Sequence, residues 1–280
     1  MRRRPLVTAA LTAVTAATAL AQAIEPSLLA RLERTHASLH GQEWRLVTTL
    51  FVQDGGVAGA LSNLVFLVVI GAVAEQLLSR RMWLALYVGV GVGSQLVAYD
   101  WQPVGGGNSV AVCGLAGAVA VSCWREVARI PEPAPAALLL WCGAVLATLP
   151  GRLSILFVAA GVAGAGAARA RPRRAHRAAA AAVAVTGAAL AAATNVHGAA
   201  LLFGLLGTVS IGAFGSPHPQ KPGGTSDGER ALDQSERRHC RQPEGHRMLL
   251  LIPLLIRPLV RLVRRWRGRA AAQTPDPSES

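Results

Sequence analysis

Four strongly polar side chains stand inside long apolar stretches of the chain: Asn63, Glu75, Ser109 and His197. Such groups are expensive inside a hydrocarbon layer, so each needs a reason to be there. Ser109 directly follows Gly105-Gly106-Gly107-Asn108, and His197 is followed by Gly198. The glycines permit a tight, irregular backbone before Ser109. Backbone N–H groups at a helix start have no partner within the helix and carry the positive end of its dipole. A serine there can present its hydroxyl to a cavity while nearby N–H groups receive a developing oxyanion. A histidine opening a second helix at the same depth can take the serine proton during attack on a carbonyl. The chemistry within reach is therefore acyl transfer through a serine–histidine pair. Each residue also has a plain structural reading. Ser and Asn in apolar helices usually bond a neighbouring backbone or helix. A lone His near a helix start is commonly interfacial, and Glu75, near a span end, can reach the headgroups.

The elements that must position these groups follow from composition. The 280 residues are 52% hydrophobic and only 15% charged, yet the net charge is +13. Mean hydropathy is +0.38 and the pI about 11.4. A soluble domain carries about 25% charged residues, so a soluble enzyme is disfavoured, and the apolar content argues against disorder over most of the length. A nucleic-acid binder can share the pI, but here the arginines sit in short runs between apolar stretches, as in a polytopic membrane protein. A crossing helix needs about 20 apolar residues. The candidates are 5–24, 57–78, 82–99, 109–124, 135–149, 153–168, 178–194 and 197–214. The short 135–149 pairs with 153–168 as a tilted hairpin or re-entrant element. Ala-Gln-Ala at 21–23 fits a signal-peptidase site, so a cleaved leader over 1–23 is the alternative to an uncleaved first helix. The uncleaved helix is preferred because more spans follow.

Charge sets the orientation. With the N-terminus in the cytoplasm, Arg80 and Arg81, Arg125 and Arg129, the run from Arg169 to Arg177, and the tail from 215 all fall inside. The segments 100–108 and 195–196 fall outside without a basic residue. The expectation is an all-α bundle of about eight spans in the plasma membrane, both termini cytoplasmic. Ser109 and His197 then open helices that start on the same, outer side. Most of the positive charge becomes topology, and no nucleic acid is needed to explain it.

Three domains are expected: a transmembrane domain over 1–214, a flexible polar linker over 215–247, and a basic tail over 248–280. The tail opens on the apolar run 248–256, too short to span, and continues into Arg257, Arg261 and Arg264. It reads either as a segment lying on an anionic inner leaflet or as a disordered tail. The cysteines at 113, 123, 142 and 240 have no paired spacing and read as free thiols. His36 and His40 have the i, i+4 spacing of a metal pair, but no third ligand is near and they read as exposed loop residues. No metal or organic cofactor is implied.

Several motifs in order resemble the rhomboid intramembrane serine proteases, over roughly residues 1–214. Trp44-Arg45 before Leu-Val-Thr-Thr-Leu-Phe is similar to that family's Trp-Arg loop motif. Asn63 in Leu-Ser-Asn-Leu-Val-Phe-Leu and Glu75, twelve residues later, fit its second helix. Gly107-Asn108-Ser109 with Gly114 and Gly117 resembles the Gly-x-Ser nucleophile and the small-residue face behind it. His197 with Gly204 resembles the histidine helix. The resemblance implies Ser109 as nucleophile and His197 as base, and Asn63 and Gly107 on the oxyanion and substrate side. It implies structural roles for Arg45 and Glu75, and transmembrane proteins as substrates or clients.

The chain also departs from the pattern. Gly59 stands where the family has a second-helix His that helps form the oxyanion hole, Gln53-Asp54 where a loop His is common, Val110 after the serine, and Ala200 for a glycine on the histidine helix. Ser109 and His197 are 88 residues apart, and the extra length accommodates two further crossings. The expected function is intramembrane serine endopeptidase. The alternative is a rhomboid-fold binding protein that holds client helices without cleaving them. A small transporter is disfavoured, because almost no paired ionisable residues lie in the spans.

Overall fold

The computed structural model describes residues 4–126, 130–149 and 151–214. Among them are ten α-helices and no strand. Eight coincide with the stretches expected to be helices: α1 (Leu6–Ile24), α4 (Gly56–Leu77), α5 (Arg80–Val97), α6 (Ser109–Trp124), α7 (Ala134–Leu146), α8 (Ser154–Ala170), α9 (Pro172–Ala192) and α10 (Val196–Phe214). Among the described residues, three of these (α1, α4 and α9 from Arg174) are long and apolar enough to cross a membrane by length and composition. The other two, α2 (Ser27–Leu32) and α3 (Arg45–Thr48), lie in the segment read as a plain loop between the first two spans. The linker over 215–247, the tail over 248–280 and Cys240 lie outside the described residues.

Two helices start where the sequence supplies proline. Pro133 and Pro135 sit at the start of α7, and Pro172 opens α9, positions where a missing N–H costs nothing. One boundary differs from the expectation: α9 starts at Pro172, not near 178, so Arg174 and Arg177 lie in its first turns. Hydropathy marks where a helix enters hydrocarbon, whereas the helix itself continues into the headgroup layer. Arg177 there pairs with Glu126 at 2.9 Å.

At 13 residues, α7 is about 20 Å long, too short for the roughly 30 Å of a bilayer core. It forms a hairpin with α8. The contact rests on Gly143 and Gly161, where an added Cβ would stand 2.6 Å from the Phe157 carbonyl and 3.0 Å from the Leu139 carbonyl, respectively.

The centre of the bundle is α6, buried along nearly all of its length. Its faces meet α4, α5, α9 and α10. On the α10 side, a Cβ on Gly117 would lie 2.6 Å from the Gly204 carbonyl carbon, and one on Gly204 would lie 2.5 Å from the Gly114 oxygen. Backbone therefore touches backbone, which only such small residues allow. This contact sets the starts of α6 and α10 side by side. At the opposite end of the bundle, Glu75 on α4 accepts from the Val7 N–H (3.0 Å), the Thr8 N–H (2.9 Å) and the Thr8 hydroxyl (2.9 Å). A carboxylate thus caps the first turn of α1. Cys113, Cys123 and Cys142 are buried free thiols.

Candidate active site

Ser109 is the first residue of α6 and His197 the second of α10. Ser109 Oγ lies 2.9 Å from His197 Nε2. Both are half-buried. Gly198, directly after the histidine, packs so tightly on α9 that a Cβ would lie 2.1 Å from the Ala191 nitrogen. The imidazole is therefore carried on a turn with no room to shift.

The loop before Ser109 is held from several sides. Arg34 and Gly105 form an antiparallel bridge with both N–H···O bonds, at 3.0 and 3.2 Å. The Gly106 N–H donates to Asp54 Oδ2 at 2.9 Å, and the Gly107 N–H donates to the Thr49 carbonyl at 2.8 Å. Gly105 and Gly107 both have φ +152°, a conformation that disfavours a side chain. A Cβ built at Gly107 would stand 3.4 Å from Ser109 Oγ and 3.6 Å from Asn63 Nδ2. The space left by that missing side chain thus adjoins the Ser109 hydroxyl and an amide donor, with Asp54 Oδ1 4.0 Å away.

Asn63 is anchored by Gln53. Asn63 Nδ2 donates to Gln53 Oε1 at 2.7 Å, and Gln53 Nε2 donates to Asn108 Oδ1 at 3.1 Å. The Gln53 backbone is itself clamped by Gln22 at the end of α1: its N–H donates to Gln22 Oε1 at 3.0 Å and its carbonyl accepts from Gln22 Nε2 at 2.5 Å. One hydrogen of the Asn63 amide is therefore committed, and the second remains for a ligand. Gly59 contributes nothing, since no atom lies within 4 Å of where its Cβ would be.

A cavity of about 100 Å³ opens beside the pair, lined by Ser109, His197, Gly107, Arg34 and Gln95 among others. Arg34 is 3% exposed, donating to the Gln102 carbonyl and, at 3.5 Å, to Gln95 Oε1. Burial pushes its guanidinium down to about 10, with Asp54 opposing that shift, and it remains protonated at neutral pH.

Of the residues singled out from sequence, Ser109, His197, Asn63 and Gly107 converge on one spot. Arg45 and Glu75 do not. Arg45 donates to the Ala30 (2.8 Å) and Glu33 (3.0 Å) carbonyls and stacks over Trp44, knitting the segment between α1 and α4. Glu75 lies at the other end of α4. His36 and His40 are exposed, and His36 stands edge-on to Tyr99.

A model of the rhomboid domain matches residues 40–218. The chain belongs to the rhomboid family. It is an integral membrane protein, and this family acts on membrane-protein partners within the bilayer, as intramembrane proteases or as their non-cleaving relatives. No curated protein and no solved structure matches the chain. Sequence reasoning noted Gln53 in this rhomboid only as a departure, and missed Asn195 and Arg34 altogether. Asn195 had one available signal, a residue that favours the N-cap position placed just before an apolar helix. Arg34 had none, because an arginine between two short helices reads as surface.

Proposed function

We propose that this rhomboid is an intramembrane serine endopeptidase. The observation that carries the reading is the 2.9 Å approach of Ser109 Oγ to His197 Nε2. In this scheme Ser109 attacks the scissile carbonyl carbon as its proton passes to His197, giving a tetrahedral oxyanion. The free hydrogen of the Asn63 amide and the Ser109 backbone N–H receive the negative charge. Collapse expels the new amine, protonated by the imidazolium, and water then hydrolyses the acyl-enzyme by the same steps in reverse. The substrate is a transmembrane segment of another protein, locally unwound so that its carbonyl reaches the cavity. Both termini lie in the cytoplasm, the membrane is the plasma membrane, and the basic tail contacts the anionic inner leaflet.

A second reading is favoured by one observation. Gly59 leaves α4 with Asn63 as its one side-chain donor near the site among the described residues, and a protein that only holds client helices does not need a second. The two readings separate in one experiment. The protein is reconstituted with a model transmembrane substrate and, in parallel, treated with a mechanism-based serine-hydrolase probe. The protease cleaves the substrate and is labelled, and Ser109→Ala abolishes both. Cleavage that survives Ser109→Ala overturns the assignment, and a folded wild-type protein that neither cleaves nor labels belongs to the second reading.

A further inference from the structure

The geometry points to Asn195 as the positioning residue that fixes the tautomer and orientation of the His197 base, through the same side-chain oxygen that caps α10. The inference deepens the protease reading and rests on it for its catalytic meaning. Asn195 Oδ1 lies 2.9 Å from the His197 backbone nitrogen and 2.8 Å from His197 Nδ1. Asn195 is 8% exposed, so water competes little for these bonds.

The assignment of protons follows from one fixed donor. Two choices set the protons here, the orientation of the Asn195 amide and the tautomer of the imidazole. A backbone N–H, however, can only donate. The His197 N–H therefore requires the oxygen of the Asn195 amide, not its NH₂, at 2.9 Å. With Oδ1 in that place, the ring nitrogen 2.8 Å away must also be a donor, so Nδ1 carries the hydrogen. In a neutral imidazole Nε2 is then the acceptor, and the 2.9 Å contact to Ser109 is O–H donating to Nε2. That is the arrangement a general base needs. The amide nitrogen of Asn195 points the other way, toward Thr148 Oγ1 at 3.5 Å, at the end of α7. A flip would set NH₂ against the His197 backbone N–H, a donor that cannot change its role.

A helix cap alone would need only the bond to the backbone N–H. Three substitutions separate the two roles. Asn195→Asp keeps an acceptor for both His197 donors. Asn195→Ser keeps a cap but is one atom too short to reach Nδ1 as well. Asn195→Ala loses both.

The direct readout is long-range ¹H–¹⁵N correlation of [¹⁵N]histidine-labelled full-length protein in detergent micelles at pH 7.5. His197 is assigned by the signals missing from His197→Gln. Wild type and Asn195→Asp are expected to show a protonated Nδ1 and a pyridine-type Nε2, and Asn195→Ser a mixture of both tautomers. In the reconstituted cleavage assay, Asn195→Ser is expected to lower kcat at least about 10-fold with little change in KM. The ceiling is roughly 10⁴-fold, the loss when a triad histidine is held in the wrong tautomer. Asn195→Asp is expected to rescue most of that loss. A wild-type His197 protonated on Nε2, or an Asn195→Ser spectrum and kcat identical to wild type, overturns the inference. If Asn195→Ser does not fold, the wild-type and Asn195→Asp spectra still decide it. The expected tautomer in a protein that cleaves nothing leaves the positioning role standing and removes the protease reading instead.

Discussion

Replacing Gln53 by Ala leaves every reacting group of the candidate site in place and removes only what holds one of them. Asn63 keeps its amide but loses the acceptor at 2.7 Å, and Asn108 loses the donor at 3.1 Å. A preorganised oxyanion donor is worth about 2.7–4 kcal/mol in the transition state, or 10²–10³ in rate. That full amount belongs to Asn63→Ala. Gln53→Ala removes only the orienting bond, with a net worth of about 0.5–1.5 kcal/mol. The expected slowing is therefore roughly 2- to 13-fold. Folding suffers separately. Asn108 is fully buried, and its Nδ2 already lacks a partner; stranding its Oδ1 as well costs about 1–3 kcal/mol.

The assay is the second-order rate of labelling of Ser109 by a serine-hydrolase probe in micelles, for wild type, Gln53→Ala, Asn63→Ala and the double variant. If Gln53 acts through Asn63, the double variant labels no more slowly than Asn63→Ala alone. A Gln53→Ala effect of the same size in both backgrounds would refute the relay, because independent residues act additively. An unchanged rate in Gln53→Ala, with the protein folded, would refute it too.

Two further substitutions probe the frame around the site. Gly117→Val forces α6 and α10 apart at a point where a Cβ meets the Gly204 backbone at 2.6 Å. Labelling of Ser109 should fall by about 10²-fold or more as the pair misaligns, together with a lower Tm, and a variant with normal labelling would count against the backbone contact. Glu75→Ala leaves the Val7 and Thr8 donors without their acceptor. Thermal unfolding should report a loss of about 1–3 kcal/mol, while the labelling rate of the protein that remains folded should stay within about 2-fold of wild type; a large rate change would mean that the α1–α4 contact reaches the site.

The fold was legible because membrane helices announce themselves. Long apolar runs and the arginines between them mark eight segments, and the rhomboid assignment of the bundle follows from Asn63, Ser109, His197 and their flanking glycines in order. The start of α9 was not legible, since Arg174 and Arg177 read equally well as loop or as the helix end outside the hydrocarbon. The short helices around Arg31 and Arg45 were hidden for a related reason. Their partners are backbone carbonyls such as those of Ala30 and Glu33, which leave no pattern in side-chain types. At the site, Asn63, Ser109 and His197 were visible as polar exceptions in apolar runs. The residues that hold them were less so. Gln53 and Asn195 lie in connections, where polar residues are the norm and carry no surprise. Their partners, 10 and 2 residues away, are decided by how the chain turns.

The absence of a donor at Gly59 acquires a different weight once those holders are included. In an apolar bundle a polar side chain is tolerated when its bonds are met. Gln22, Gln53, Asn63 and Asn108 form one connected run of amides, and Asn195, His197 and Ser109 form a second. Had the site lost its chemistry and kept only its packing, apolar replacements of similar shape would serve as well at several of these positions. Instead the two runs meet at one place, where the second hydrogen of the Asn63 amide and the lone pairs of Ser109 Oγ both face the space that Gly107 leaves open. On the protease reading, a site that holds Asn63 through Gln53 and His197 through Asn195 while turning those two groups to one space is arranged for a carbonyl to arrive between them. If the protease reading holds, the donor missing at Gly59 lowers the rate of such a site and leaves the Ser109–His197 contact in place.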